Sequence, residues 1–412
     1  MKRGGVRERR RMGAVPYRAG GRPARVRLAP AQHQDILILS ARYGAGHWQA
    51  AIAVREAMQT LYPRHSSLLL DYMDLVNPSF NRTVQRLYLA SIRHFPGTYG
   101  WFYRATSTLS PGSPFQTMLN NLGREQLGRL LRQTTPRCVI STFPTQAGVL
   151  SEMRRLGLCS TPTVTVITDN TVHSQWVHPN TDLYCVSSAD VAENLYRRGV
   201  PRTAVEVTGI PLRHAFTHTM DASDVRRRYG FDPHLPLVLV MSGAFGALGG
   251  VGEACRVLTH MGRPLQIVVV AGRDKQLAQR LRRLQRHFPY PVHVFGYVES
   301  IAEFMTTAEL LVTKAGGVTT AEALALGVPL VIFRPIPGQE EANADYLCAH
   351  GAAMAARNTE DLRIACARLL GDAVLRASMR RAARTLGRPH AARDVARLAL
   401  SLGGAEVGTP ET

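Results

Sequence analysis

The stretch 309-ELLVTKAGGVTTAEALALGVPLVIF-333 decides the fold. It passes from a short apolar segment through a glycine turn and a helical pattern to a second apolar segment, which reads as strand, loop, helix, strand. Glu309 to Thr313 closes a buried strand, and Gly316 with Gly317 allows a sharp turn at positive φ where one is required. Thr319 stands three residues before Glu322, the capping-box spacing. Gly327 followed by Pro329 ends the helix, because glycine accepts the left-handed cap and proline cannot extend the turn. The unit is one βαβ crossover of a parallel sheet. Ligands of such sheets bind beyond the carboxyl ends of the strands, where a glycine loop feeds a helix start whose free N–H groups and dipole favour anions. A phosphate fits over Gly316 to Thr320, but the dipole contributes only about 0.3–1 kcal/mol per charge. Side chains must supply the remaining affinity. Glu322 is either the capping-box residue or an acceptor for a ligand hydroxyl.

With 412 residues, 45% hydrophobic and 7% aromatic, the chain is long enough for two domains with substantial cores. No apolar run approaches the roughly 20 residues that span a bilayer, and the arginine-rich start lacks the apolar segment of a secretion signal; a cytoplasmic protein is expected. Six scattered cysteines form no CxxC pair and no His/Cys cluster, so neither a disulfide framework nor a zinc site is expected. The net charge of +20 is uneven: the first 27 residues hold ten Lys/Arg against Glu8. A surface of this kind attracts polyanions, nucleic acid or anionic lipid.

Residues 1–30 show no periodicity and read as a disordered basic tail. Order begins with the apolar run Ile36 to Leu39, followed by the loop Ala41 to His47, a helical pattern from Trp48 to Leu61 and a strand ending at Asp71. Gly44-x-Gly46 followed by Asp71 resembles a dinucleotide fingerprint, yet Gln49 occupies the third glycine position. Val139 to Ser141, Thr163 to Thr168, Asp182 to Val186 and Ala204 to Thr208 add strands, and the polar run Asp169 to His178 falls at the cleft side of the sheet. A second series begins with strand Leu237 to Met241 and glycine loop Ser242 to Gly252, continues through strands Leu265 to Ala271 and Val292 to Phe295, and leads into the opening stretch. Ala391 to Leu402 reads as a helix returning to the first domain. The expected fold is α/β, two Rossmann-like domains facing each other across a cleft: residues 31–215, then 216–388, with a terminal helix at 389–404.

From Leu75 to Arg124 there is no Asp or Glu, while Arg82, Arg86 and Arg93 alternate with aromatics that include Trp101, Phe102 and Tyr103. Rings at headgroup depth with cations against anionic lipid suit a bilayer interface. The other readings are a core helix pair with a basic outer face and a stacking platform for single-stranded nucleic acid. No RNA- or DNA-binding signature accompanies the segment, and no nucleic-acid partner is expected.

Two glycine-led halves suggest a nucleoside-diphosphate ligand between them. The segments GAGHWQAA (44–51), VTGIPLRHAF (207–216), FGYVESIAEF (295–304), TKAGGVTTAEALALGVPLV (313–331) and PIPGQEEANADYL (335–347) go further. In order and spacing they resemble the monogalactosyldiacylglycerol synthase and processive diacylglycerol glucosyltransferase family. The resemblance covers nearly the whole chain after residue 35. It implies a GT-B fold, an inverting mechanism, a UDP-hexose donor and a diacylglycerol-type acceptor taken at the anionic inner face of the cell membrane. No cofactor and no metal is implied, the UDP-sugar being a substrate. Carried over by motif, Gly296, Tyr297 and Val298 hold the uracil, Glu322 the ribose, Gly316, Gly317, Val318 and Thr319 the diphosphate, and Gln339 with Glu340 the sugar. Gly46, Gly243 and Asn343 complete the donor set, and Lys314 or Arg213 meets the leaving-group charge.

Inverting transfer needs a base for the acceptor hydroxyl. His47, at a helix start whose positive end disfavours imidazolium, is the candidate. Asp169, with His173 behind it, is the carboxylate expected to orient the ring or steady its charge. The sugar stays open between glucose and galactose. The related alternative is N-acetylglucosamine transfer to a polyprenyl-linked peptidoglycan precursor. From other classes, a dinucleotide-dependent oxidoreductase is disfavoured by Gln49, and a non-catalytic basic membrane-binding module would not need the GQEE segment.

Overall fold

The computed structural model describes residues 33–43, 45–77, 81, 105–106, 113–218, 220–243 and 250–406. The basic tail, Gly44, the greater part of the second glycine loop, and Arg82, Arg86, Arg93, Trp101, Phe102 and Tyr103 lie outside the described residues.

Near-continuous runs of Ile, Leu and Val are what strands buried on both faces require. They form two all-parallel sheets. The first comprises β1 (Ile36–Ser40), β2 (Ser67–Asp71), β3 (Cys138–Ser141), β4 (Thr163–Val166), β5 (Leu183–Val186) and β6 (Val205–Val207), in the order β2-β1-β3-β4-β5-β6. The second comprises β7 (Leu237–Met241), β8 (Gln266–Val270), β9 (Val292–Phe295), β10 (Leu310–Thr313), β11 (Leu330–Phe333) and β12 (Ala353–Ala356), in the order β12-β11-β10-β7-β8-β9. Alternation along each central strand divides the cores. Ile36 and Ile38 face a layer with Val54, Met58 and Leu400, while Leu37 and Leu39 face Tyr72, Leu130 and Met153. Leu237 and Leu239 likewise point opposite to Val238 and Val240. Each such aliphatic side chain contributes about 1.5–3 kcal/mol by leaving water.

The chain crosses between the sheets twice. After β6 it turns through Gly209, and after the helix Ala373–Leu386 it returns so that helix Ala391–Leu402 lays Val395, Ala396, Ala399 and Leu400 against Ile36 and Val54 of the first core. The crossings run side by side. At Gly209, φ is +90°, and a Cβ there would stand 2.3 Å from Cβ of Arg388.

Two local expectations are corrected. The helix of the opening stretch begins at Gly317, with Gly316 as its uncapped N-cap at φ −71°. Thr319 and Glu322 therefore do not form a capping box, and neither glycine is there for a positive φ. Thr320 instead turns its hydroxyl back onto the carbonyls of Gly316 and Gly317 at 3.1 and 2.9 Å. One half of such a box appears in the next helix, Gln339–Ala349, where the Glu341 side chain accepts from the N–H of the N-cap Gly338 at 3.0 Å. In the first domain the helix starts two residues earlier than its apolar pattern suggests, at Gly46, which places His47 inside its first turn.

Gly209→Ala combines a positive-φ strain with a clash against the second crossing, a cost of about 1–3 kcal/mol for the strain alone. Thermal melts should show a lowered midpoint for this variant, and an unchanged midpoint would contradict the tight crossing.

Candidate active site

In a doubly wound sheet the crevice opens where the strand order reverses. In the first sheet that point lies between β1 and β3, and in the second between β7 and β10. The loops leaving β1 and β10 each run into a glycine-led helix, Gly46–Leu61 and Gly317–Leu326. The two helix starts face each other. A Cβ on Gly46 would touch Val318 at 3.5 Å, and a Cβ on Gly317 would stand 2.0 Å from the carbonyl oxygen of Thr168, just beyond β4. Gly317 is glycine because two backbones meet there.

His47 is fixed on three sides. Its Nδ1 lies 2.7 Å from Oγ1 of Thr168, its ring meets Phe143 edge-on at 5.0 Å between centroids, and Trp176 lies tilted at 6.0 Å. Thr142 donates its hydroxyl to the His47 carbonyl at 3.0 Å, so the backbone is held as well. With the proton on Nδ1 and Thr168 accepting it, Nε2 carries the lone pair that a base needs. Burial depresses the basicity of His47, while the charge of Asp169 and a separate hydrogen bond between the ring and the Thr142 backbone oppose that fall. The ring therefore stays neutral and available near neutral pH.

Asp169 is 4% exposed and reaches His47 through its charge, while Thr168 is what orients the ring. Burial raises its carboxyl; the charge of His47 and hydrogen bonds from Gln339 and Asn343 counter this, and Glu340 adds to it. His173 caps a turn beside the site. Its Nδ1 accepts from the N–H of Gln175 at 3.2 Å, capping the turn Ser174–Trp176, and its Nε2 meets Thr106 at 3.2 Å. Asp71 likewise caps a short helix, accepting from Met73 and Asp74, and sits beside Arg42.

On the donor side the loops after β7 and β10 touch, since a Cβ on Gly243 would lie 3.2 Å from Cε of Lys314. Lys314 is bound to Glu340, whose second oxygen accepts from the N–H of Ile336 at 3.1 Å. Arg213, on the first crossing, pairs with Glu56 at 2.9 Å and feels the charges of Tyr297 and Glu322. Glu322 itself has its carboxyl pushed up to about 8 by burial, with Arg213 as the opposing influence. Tyr297, beside Gly296 and Val298, is 54% exposed with the Arg273 guanidinium over its ring.

Two residues expected to bind donor have protein partners at the cleft. Asn343, fully buried, donates to the Ala315 carbonyl at 2.9 Å and accepts from the N–H of Asn170 at 2.8 Å, and Gln339 bonds Asp169. Both reach into the opposite domain. Sequence reasoning passed over Thr168, Thr142, Phe143 and Trp176. The signal for Thr168 was its place as the last polar residue before Asp169 at a strand end, opposite the His47 loop.

A family model for monogalactosyldiacylglycerol (MGDG) synthase matches residues 47–212, and one for the glycosyltransferase family 28 C-terminal domain matches residues 237–383. The processive diacylglycerol beta-glucosyltransferase of Bacillus pumilus is 33% identical over 88% of this chain and 94% of its own length. That of Bacillus subtilis is 34% identical over 82% and 88%. Among solved structures, MurG of Acinetobacter baumannii superposes with a TM-score of 0.62 over 90% of this chain and 99% of its own, at 16% identity. The spinosyn rhamnosyltransferase SpnG superposes at 0.57 over 89% and 100%, also at 16% identity. These two share the fold.

The raised carboxyl of Glu322 fixes a sign. Between the ordinary carboxylate range and about 8 the folded state holds a proton that the unfolded chain has released. Stability is thus complete at low pH and drains away as pH rises through that window. Glu322→Gln, neutral throughout, should gain in thermal midpoint on the parent between roughly pH 5 and about 8.5. A midpoint difference that is flat with pH would contradict the burial of this carboxyl.

Proposed function

This chain belongs to the family of monogalactosyldiacylglycerol synthases and processive diacylglycerol glucosyltransferases, and we propose from that premise that it moves a hexose from a UDP-sugar to diacylglycerol or a glycosyldiacylglycerol, with inversion. The observation that carries the reading is the pairing of two glycine-led helix starts, one presenting His47 and the other an anion-favouring loop. The acceptor oxygen bonds to the anomeric carbon as the bond from that carbon to UDP breaks, and the hydroxyl proton passes to Nε2 of His47. Thr168 keeps the ring in the tautomer this requires, and Asp169 steadies the imidazolium that forms.

The departing diphosphate meets the N–H groups and dipole of the Gly317 helix, with Lys314 nearby and without a metal or other cofactor. Glu322, beside Arg213 and Tyr297, takes the ribose hydroxyls. With its carboxyl raised toward the neutral form, it can offer a donor as well as an acceptor to those hydroxyls. Glu340, held by Lys314 and Ile336, is set for the sugar hydroxyls. No helix among the described residues is long and apolar enough to cross a membrane. The enzyme reaches its lipid acceptor from the membrane surface, and the acid-free segment Leu75 to Arg124 is the docking element on the inner face of the cell membrane.

Two measurements test this. UDP-glucose and UDP-galactose are offered separately with diacylglycerol vesicles, and a β-linked glycolipid should form with one or both. His47→Ala should lose about 10²–10⁴ in turnover while still binding UDP; turnover within a few-fold of the parent would sink the mechanism. For docking, each arginine near an anionic surface is worth about 1 kcal/mol. An Arg82/Arg86/Arg93→Ala variant should therefore co-sediment visibly less with anionic vesicles, and undiminished binding would return the segment to the ordinary surface of a helix pair.

A further inference from the structure

Asn343 occupies a position that donor binding does not explain. It lies in the helix Gln339–Ala349 of the second domain, is 0% exposed, and has both ends of its amide engaged by protein. Its Nδ2 donates to the Ala315 carbonyl in the diphosphate loop at 2.9 Å and approaches Oδ1 of Asp169 at 3.4 Å. Its Oδ1 accepts from the N–H of Asn170 at 2.8 Å. A single side chain thus ties the loop after β10 to the strand end that carries Thr168 and Asp169. Next to it Gln339 bonds the same carboxylate, and Gly317 closes the contact by lacking a Cβ against the Thr168 carbonyl.

We propose that Asn343 is a positioning residue that latches the two domains and, through Asp169, makes the base His47 competent only when the diphosphate loop is closed against the first domain. The inference rests on the reading of His47 and Asp169 given above. In the open form Asp169 loses two amide partners supplied by the other domain, and the carboxylate that stabilises imidazolium is no longer held. Docking of the donor on the Ala315–Gly317 loop and proton removal at the acceptor are then coupled through one amide. The charged groups facing Asp169 are His47 from the Gly46 helix and Glu340 from the Gln339 helix, the latter neutralised by Lys314.

The test compares the parent with Asn343→Leu, the smaller Asn343→Ser, Asp169→Asn and the double variants, all checked for an unchanged melting profile. UDP affinity is read by calorimetry, kcat and its pH profile with the preferred UDP-hexose and diacylglycerol vesicles, and closure by small-angle scattering with and without UDP. The latch requires a kcat lowered about tenfold or more, short of the roughly 10²–10⁴ cost of losing the base, with UDP affinity lowered by less than kcat because closure is only partly driven by the donor. It also requires an acidic limb displaced to lower pH, because a less firmly ionised Asp169 no longer raises His47. In the Asp169→Asn background the Asn343 substitutions should cost nothing further. UDP affinity falling in step with kcat would make Asn343 a donor ligand and overturn the proposal. So would additive losses, an unmoved acidic limb, or UDP-induced compaction identical in parent and variants. A parent that makes no glycolipid would instead overturn the parent reading, and in that case the scattering arm still decides whether Asn343 governs closure.

Discussion

At Gly317 the backbone of the second domain approaches the Thr168 carbonyl so closely that a single methyl group would stand 2.0 Å from it. The site depends on that approach. Thr168 turns its carbonyl toward the start of one helix and its hydroxyl toward Nδ1 of the histidine that begins the other. One residue therefore touches the donor loop through its main chain and the acceptor base through its side chain. A carbonyl dipole and the Asp169 carboxylate set against a helix N-terminus are favourable arrangements. Beside this polar contact the domains also share apolar packing, Ala50 of the Gly46 helix lying in one buried cluster with Val318.

The cations at the cleft arrive already matched. Lys314 is bound to Glu340 and Arg213 to Glu56, so the cleft is not a bare positive surface. A diphosphate entering it must draw on helix N–H groups or exchange with these carboxylates. Desolvated ion pairs gain little net energy over well-packed neutral groups, and their value here is geometric. Glu340 is held on two sides, by Lys314 and by the Ile336 N–H, which leaves its carboxylate with one orientation.

Much of the architecture was legible because parallel strands buried on both faces have no alternative to continuous apolar runs. Ile36 to Leu39 and Leu237 to Val240 announce themselves, and the βαβ reading of residues 309–333 follows from glycine and proline alone. What was not legible depends on contacts between distant segments. Thr319 and Glu322 satisfy a local capping rule, yet the helix begins at Gly317 because the opposite domain needs a glycine there, a reason that no local pattern carries. His47 was found from its loop, whereas Thr168, 121 residues away, was not. That Gln339 and Asn343 also bond Asp169 and Asn170 is set by the packing of the two domains, which no local pattern shows.

The two crossings that touch at Gly209 and Arg388 form a two-ply ribbon along one border of the cleft. A pair of chains lying flank to flank resists sliding more than bending, so the domains can hinge about an axis across the ribbon more easily than they can translate. Displacement then grows with distance from that axis. Arg213 lies on the ribbon itself, and its grip on Glu56 and its proximity to Glu322 change least as the cleft opens. One end of a bound nucleotide can thus stay anchored near the pivot while the far lip of the cleft parts widely enough to exchange a bulky amphiphile.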